Sequence, residues 1–399
     1  MLSPQTIAMV KATVPVLQQH GEHITRHFYA TMFRDYPAVK AYFNQAHQAA
    51  GTQPRALANS VLAYAAHIDR LDALKDALPA IIQKHAALDI RPEHYPIVGA
   101  CLLRAIKEVL GDAATDDIIS AWGEAYGQLA DILIAAEEQV YAGNAARKGG
   151  WRGPREFRVT RKHAESSVIT SFYLEPADGG EVMAYLPGQY LTVLMTIDGE
   201  PLRRNYSLSD APGNGYYRIS VKRETGGVAS NYLHDKVYEG DVLELLAPCG
   251  EFVLTDSSRP LVLLTGGVGI TPALSMLNTV AASGRKVEFI HAALNSKVHA
   301  FRAHVDRIAL QYPNVRPFFV YNDAAPGDHP HAHGFVTQEL LASRLPDDRN
   351  VDLYFLGPKP FMQSVFQSAL ELGIPRQQIK FEFFGPLEDL NPPAVAAVA

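Results

Sequence analysis

Cysteine is nearly absent. Cys101 and Cys249 are the only two in 399 residues, and they stand far apart. No CxxC occurs, which removes the usual zinc, iron–sulfur and covalent haem frameworks. A chain so poor in cysteine is expected in a reducing compartment. No apolar run reaches the roughly 20 residues needed to cross a bilayer, so stable membrane insertion is not expected. The start, Met1-Leu2-Ser3-Pro4-Gln5, lacks the basic and apolar segments of a secretory leader, and the expected location is cytoplasmic. Strong charge of one sign is also missing. The net charge of -6 argues against a nucleic-acid partner. What is present is ordinary globular material, 47% hydrophobic and 20% charged. The length is too great for one core and predicts two or three domains.

Residues 1–145 read as helices. Ser3-Pro4 is a cap and first turn. Ile7, Val10, Val14 and Leu17 follow at helical spacing, with Gly21 expected to end the run. A second helix is expected from His23 to Phe33, and Asp35-Tyr36-Pro37 restarts a short one. Gln53, Leu57, Val61, Tyr64 and Ile68 mark another face, and Leu78, Ile81, Ile82 and Leu88 another, with His85 set in its middle. Pro96 to Gly111 is the next helix. Thr115-Asp116 caps the last, which carries Trp122, Tyr126, Leu133 and Glu137. Two residues stand out. His85 reads either as a hydrogen-bonded core histidine, the commoner case, or as an axial ligand for a haem iron. Glu137 is a carboxylate in an apolar helix, which is expensive unless paired.

Tyr29, Phe43, Gln53, Leu57, Lys84, His85, Tyr95 and Glu137, in that order and spacing, resemble the haem-pocket pattern of the flavohaemoglobins. The similarity runs from Gln5-Thr6-Ile7 to Phe384-Gly385-Pro386. It implies a globin domain holding haem b, with His85 as the iron ligand and Phe43 and Leu57 packed on the haem. Tyr29 and Gln53 would meet the oxygen ligand. Tyr95 and Glu137 would stand behind His85, where an acceptor fixes the ring and raises its basicity. Lys84 would act near haem and flavin. An anionic partner to the proximal histidine favours oxygen activation over storage.

Asn144 to Gly150 is a polar, glycine-ended linker. From 151 to 257 the pattern becomes short alternating runs separated by turns such as Pro212-Gly213-Asn214-Gly215, which predicts an antiparallel β-barrel. Pro187-Gly188-Gln189-Tyr190, Arg204-Asn205-Tyr206-Ser207 and Gly226-Gly227 to Ser230-Asn231 resemble the flavin barrel of the ferredoxin-reductase family. By that resemblance Tyr190, Arg204, Asn205, Tyr206, Ser207, Gly227 and Ser230 bind FAD. Arg204 takes the pyrophosphate, Tyr206 packs on the isoalloxazine, and Ser207 approaches its reactive nitrogen. Gly227 to Ser230 would offer backbone N–H groups to phosphate at a helix start.

From 258 to 399, strands alternate with helices, which predicts an α/β domain with a parallel sheet. Leu261 to Thr265 is a buried strand followed by Gly266-Gly267-Val268-Gly269-Ile270-Thr271-Pro272 and a helix. This is the layout of a nucleotide site. It is not G-x-G-x-x-G, but it resembles the pyridine-nucleotide motif of the ferredoxin-reductase family, with Gly267 to Pro272 on the nucleotide. Glu382, Phe383, Phe384, Gly385 and Pro386 are expected near the flavin. Two features depart from the pattern. Leu356 replaces the cysteine that relatives carry before Gly-Pro, which puts the nicotinamide fit in doubt. His329, His331 and His333 look like a metal tract but read better as a solvated loop.

The expected whole is therefore multidomain: an all-α globin domain, an antiparallel β-barrel FAD domain and an α/β NAD domain. The cofactors expected are haem b, FAD and NADH, with NADPH possible. The resemblance implies a monomeric nitric oxide dioxygenase acting on the small molecules O2 and NO. The rivals are a hydroperoxide reductase and an oxygen carrier or sensor with an attached reductase.

Overall fold

The structure is a computed structural model that describes residues 2–75, 77–385 and 390. These gather into two compact units. One holds the described residues of 2–154 with Leu194–Arg204 and Gly385; the other holds Arg155–Val193 and Asn205–Phe384.

The first unit is built on helices α1 (Pro4–Ala12), α2 (Val14–Asp35), α3 (Gln45–Ala49), α4 (Thr52–Ala66), α5 (Leu78–Ala87), α6 (His94–Leu110) and α7 (Asp116–Ala146). Ser3 starts α1 by accepting from the Thr6 N–H at 3.0 Å, and Thr115 does the same for α7 through the Ile118 N–H. Val10, Ile24, Phe28, Met32, Ala105 and Trp122 form the centre of its core. One expectation is corrected. Gly21 does not end a helix but lies buried inside α2. The break falls at Thr13 instead, because Pro15 in the first turn of α2 has no N–H to continue α1. At Gly21 a Cβ would meet Ala58 of α4 at 3.5 Å, an ordinary van der Waals contact, so the helix packing there has room for a methyl group.

The second half of the chain opens with strands β1 (Arg155–Ala164), β2 (Ile169–Pro176), β3 (Tyr190–Ile197), β4 (Glu200–Ser207), β5 (Tyr217–Lys222), helix α8 (Val228–Lys236) and β6 (Val242–Cys249). They form one sheet in the order β4-β3-β6-β1-β2-β5. An antiparallel bridge between Leu208, just past β4, and Ile219 of β5 joins the two ends of that order. The sheet thus closes on itself, as a barrel does. Buried Phe157 and Val159 alternate with more exposed neighbours on β1, and on β2 Phe172 and Leu174 flank the less buried Tyr173.

A second sheet follows, in the order β10-β9-β8-β7-β11-β12. Its strands are β7 (Leu261–Gly266), β8 (Val287–Ala293), β9 (Val315–Tyr321), β10 (Ala332–His333), β11 (Asp352–Leu356) and β12 (Ile379–Phe381), all paired in parallel. Helices α9 (Ile270–Val280), α10 (Arg302–Gln311), α11 (Gln338–Arg344) and α12 (Lys359–Glu371) connect them. Leu261 and Leu263 pack into one core, Val262 and Leu264 into another. That is the period of two in a strand covered on both faces, and it explains the unbroken apolar run. Among the described residues, no helix is long and apolar enough to cross a membrane.

Candidate functional site

The first constellation lies at the C-terminal end of α5. His85 Nδ1 is 2.7 Å from Glu137 Oε1, and the Tyr95 hydroxyl donates to the same oxygen at 2.6 Å. Glu137 is only 2% exposed. A buried carboxylate must be satisfied, and it is satisfied here by two donors. Burial, and after it the hydrogen bond and charge of Glu137, push the Tyr95 hydroxyl well above its ordinary range, so it stays a donor. With an acceptor at Nδ1, that nitrogen carries the proton and Nε2 keeps its lone pair. This is the tautomer a metal-ligating imidazole needs.

Packing fixes the group. Tyr126, Ala130, Leu133, Glu137 and Tyr141 recur at spacings of three and four along α7, which puts them on one helix face. The Tyr126 hydroxyl donates to the Tyr95 carbonyl at 2.7 Å. Gly99 makes room for that ring: a Cβ there would fall 2.5 Å from Tyr126 Cε1. The Tyr141 hydroxyl donates to the Ile90 carbonyl at 2.7 Å, just past the His85 helix. Sequence reasoning passed over Tyr141, although its spacing of four from Glu137 was a signal.

The second constellation joins Tyr29, Phe43, Gln53 and Leu57. Tyr29 is buried, with its ring edge-on to Phe43 at 5.4 Å. Phe43 and Leu57 pack against the same core. Burial pushes the Tyr29 hydroxyl up to about 12, while the amides of Gln53 and Gln48 pull the other way. Gln48 is a residue that the sequence did not point to. Its Nε2 is buried and makes no hydrogen bond of normal geometry. An orphaned donor and a tyrosine hydroxyl together fit a pocket whose polar ligand is not protein. Lys84, beside His85 in sequence, donates to the Gly385 carbonyl at 2.8 Å. On both counts the residues present fit a haem.

The flavin-motif residues fall on the closed sheet and its helix. Tyr190 is buried against Gly250, whose φ is +123° and where a Cβ would lie 2.9 Å from the ring. The Asn205 side-chain oxygen accepts from Thr192 at 2.8 Å, and Ser207 is buried at the end of β4. Arg204 donates to the Arg203 carbonyl at 2.7 Å, and Tyr206 is half-buried. Gly227 is the N-cap of α8, and a Cβ there would meet Ser230 Oγ at 2.6 Å. The N-terminus of α8 carries no side-chain cap, so its first N–H groups fit an anion such as a pyrophosphate. At α9 the Ile270 N–H donates back to the Gly267 carbonyl and Pro272 has none, which leaves the Thr271 N–H in that first turn.

In the parallel sheet, Gly267, Val268 and Gly269 turn the chain from β7 into α9, where Ile270, Thr271 and Pro272 are buried. Gly267 has φ +56°. A Cβ at Gly269 would stand 2.6 Å from the Leu356 carbonyl oxygen. The structure therefore brings the glycine turn against the strand end Leu356-Gly357, far away in sequence. Leu356 itself is buried in β11. Glu382 and Phe383 are half-buried beyond β12, and Phe384 is half-exposed. Pro386 lies outside the described residues. In the histidine tract, His331 stacks on Phe318 at 5.1 Å and accepts from the Phe319 N–H, so it is tied to β9. No cluster suited to a metal occurs among the described residues.

Comparison with known proteins agrees with these three parts. Residues 26–133 match the Globin family, 156–254 the oxidoreductase FAD-binding domain and 263–367 the oxidoreductase NAD-binding domain. The flavohemoprotein of Pseudomonas aeruginosa is 55% identical over 98% of this chain and 100% of its own. That of Burkholderia sp. (strain TH2) is also 55% identical, with the same coverage. The flavohemoglobin of Malassezia yamatoensis, with bound FAD and heme, superposes with a TM-score of 0.84 at 27% identity, covering 96% of this chain and 100% of that one. The flavohem-like FAD/NAD-binding domain of nitric oxide dioxygenase from Vibrio cholerae gives a TM-score of 0.55 at 37% identity, covering 59% of this chain and 100% of that one. Haem, FAD and a nicotinamide nucleotide are the cofactors of this architecture, an oxidoreductase that passes electrons from its reductase part to its globin part. The chain belongs to the flavohemoprotein family.

Proposed function

We propose that the protein is a nitric oxide dioxygenase that converts NO and O2 to nitrate at the expense of NAD(P)H. Each nitrate formed from NO and O2 takes up one electron, so one hydride serves two turnovers. When bound, FAD converts the hydride into single electrons and the haem supplies the iron at which oxygen is reduced. His85 would hold the iron through Nε2, and Glu137, by drawing on the Nδ1 proton, would make the imidazole a stronger electron donor. Tyr95 holds the carboxylate in place by donating to the oxygen that His85 uses. Tyr29 and Gln53 would offer hydrogen-bond donors to the oxygen substrate, bonds that strengthen where the acceptor gains negative charge. Arg204, Ser207, Gly227 and Ser230 bind and orient the flavin, and Gly267 to Pro272 bind the nucleotide. We place this chemistry in the cytoplasm.

The observation that carries the reading is the buried Glu137 carboxylate on His85 Nδ1 at 2.7 Å. An oxygen store has no use for that push. The test is nitrate production and NADH consumption by purified protein given nitric oxide in air. Consumption of NADH with a lipid hydroperoxide, and no nitrate from NO, would favour the hydroperoxide reductase instead.

A further inference from the structure

Arg203 belongs to neither the haem pocket nor the flavin motif. It precedes that motif by one residue on β4. Its guanidinium carbon lies 3.9 Å over the Tyr42 ring, and Nη1 donates to the carbonyl oxygen of Leu88. Leu88 is the C-cap of α5, three residues past His85. The last carbonyls of a helix have no partner within it and carry partial negative charge, so a guanidinium there both satisfies and stabilises the end.

The turn that Arg203 grips is wired to His85. Leu88 N–H and Ile90 N–H both donate to the His85 carbonyl, at 3.0 and 3.1 Å. Asp89, buried and at φ +57°, accepts from Arg91 at 2.8 Å. Tyr42 is held in turn by His94, whose Nε2 stands 3.3 Å from its hydroxyl. His94 Nδ1 accepts from the Arg91 N–H at 3.0 Å. A shift of Arg203 therefore has a continuous bonded route to the backbone of the proximal histidine.

We infer that Arg203 is a positioning residue that ties the flavin-binding strand to the end of the His85 helix, so that flavin occupancy is felt at the iron–histidine bond. The inference rests on the haem and flavin assignments proposed above. Coupling of this kind is reciprocal, so haem loading should also alter FAD affinity.

The test uses the full-length holoprotein. The ferrous iron–histidine stretching band is recorded by resonance Raman with FAD bound and after its removal. In the unsubstituted protein the band should move when FAD leaves. In Arg203→Met, which keeps a stem over Tyr42 but has no donor, it should not move. Arg203→Lys should recover part of the response. In stopped flow, flavin reduction by NADH should be unchanged in Arg203→Met. Haem reduction should slow about tenfold, the worth of one charge-assisted hydrogen bond. A band indifferent to FAD in the unsubstituted protein, or an Arg203→Met variant that responds fully, would overturn the coupling alone. Absence of any iron–histidine band in the unsubstituted protein would overturn the haem assignment and the coupling together.

Discussion

At Tyr29 one hydroxyl separates a tyrosine from a phenylalanine of nearly the same volume, so Tyr29→Phe isolates the hydrogen bond. A bond to a charged acceptor is worth about 1.5–3 kcal/mol, or roughly ten- to a hundredfold in dissociation. Oxygen release from the ferrous protein should accelerate by the lower end of that range, because Gln53 and Gln48 remain at the site. Rapid mixing with carbon monoxide measures it. Glu137→Gln should act differently. It removes the charge that His85 and Tyr95 share while leaving Tyr29 untouched. Turnover with nitric oxide should fall about tenfold, and oxygen release should hardly change. Full turnover in that variant would falsify the proximal push. Glu137 could be found in the sequence because a carboxylate in an apolar helix demands a partner. Tyr141 and Gln48 could not be found in the same way. Tyr141 is marked only by its spacing of four from Glu137, which says nothing of the backbone carbonyl it acts on, and Gln48 sits on the five-residue helix α3, too short to show a period.

Among the elements, the turn between β7 and α9 is tightly constrained. A methyl group at Gly269 would be driven into the backbone of Leu356, at 2.6 Å from its oxygen and 2.8 Å from its carbon. Gly269→Ala should therefore move the turn at an overpacking cost of about 1–3 kcal/mol. Its KM for NADH should rise, with the haem spectrum unchanged, as steady-state kinetics and absorption would show. The next strand end bears on the nucleotide preference. Residues Ala292 to Ser296 after β8 carry no arginine to grip a 2′-phosphate. The Asp328 carboxylate accepts from the Ser296 N–H at 3.0 Å, and those hydrogen bonds hold it below the usual carboxylate range. An anion fixed at that turn repels a phosphate, so kcat/KM should be higher for NADH than for NADPH. The reverse order would remove this reading. Gly21 marks the limit of element-level reading. A glycine inside a run signals an end or a close approach with equal force; at Gly21 the helix runs on, and a Cβ would only touch Ala58 of α4 at ordinary contact distance.

For the whole molecule, the flavin motif and the haem pocket draw on different stretches of chain. Arg204→Ala and Ser207→Ala should lower FAD retention or flavin reduction and leave the haem absorption bands intact. Equal haem loss in these variants would argue against separate modules. Three domains were legible in the change of period, from helical spacing before Asn144 to strand alternation after Trp151 and then to alternating strands and helices. Closure of the first sheet was legible only as an expectation. It depends on the Leu208–Ile219 bridge between residues in non-neighbouring strands of the order.

The sequence alone determined the kinds of element and the three-part order, because periodicity is a local property of the chain. Most of the candidate site residues came from the resemblance to a family, with His85 and Glu137 standing out by their apolar helices as well. The tertiary structure decided which of those residues meet. Glu137 lies 52 positions from His85, yet shares a bond with it, and Leu356 lies against Gly269 across a still longer gap. It also decided that Arg203, an unremarked cation in a strand, grips the end of the His85 helix. Such pairings arise from how packed elements approach one another, and no spacing along the chain encodes them.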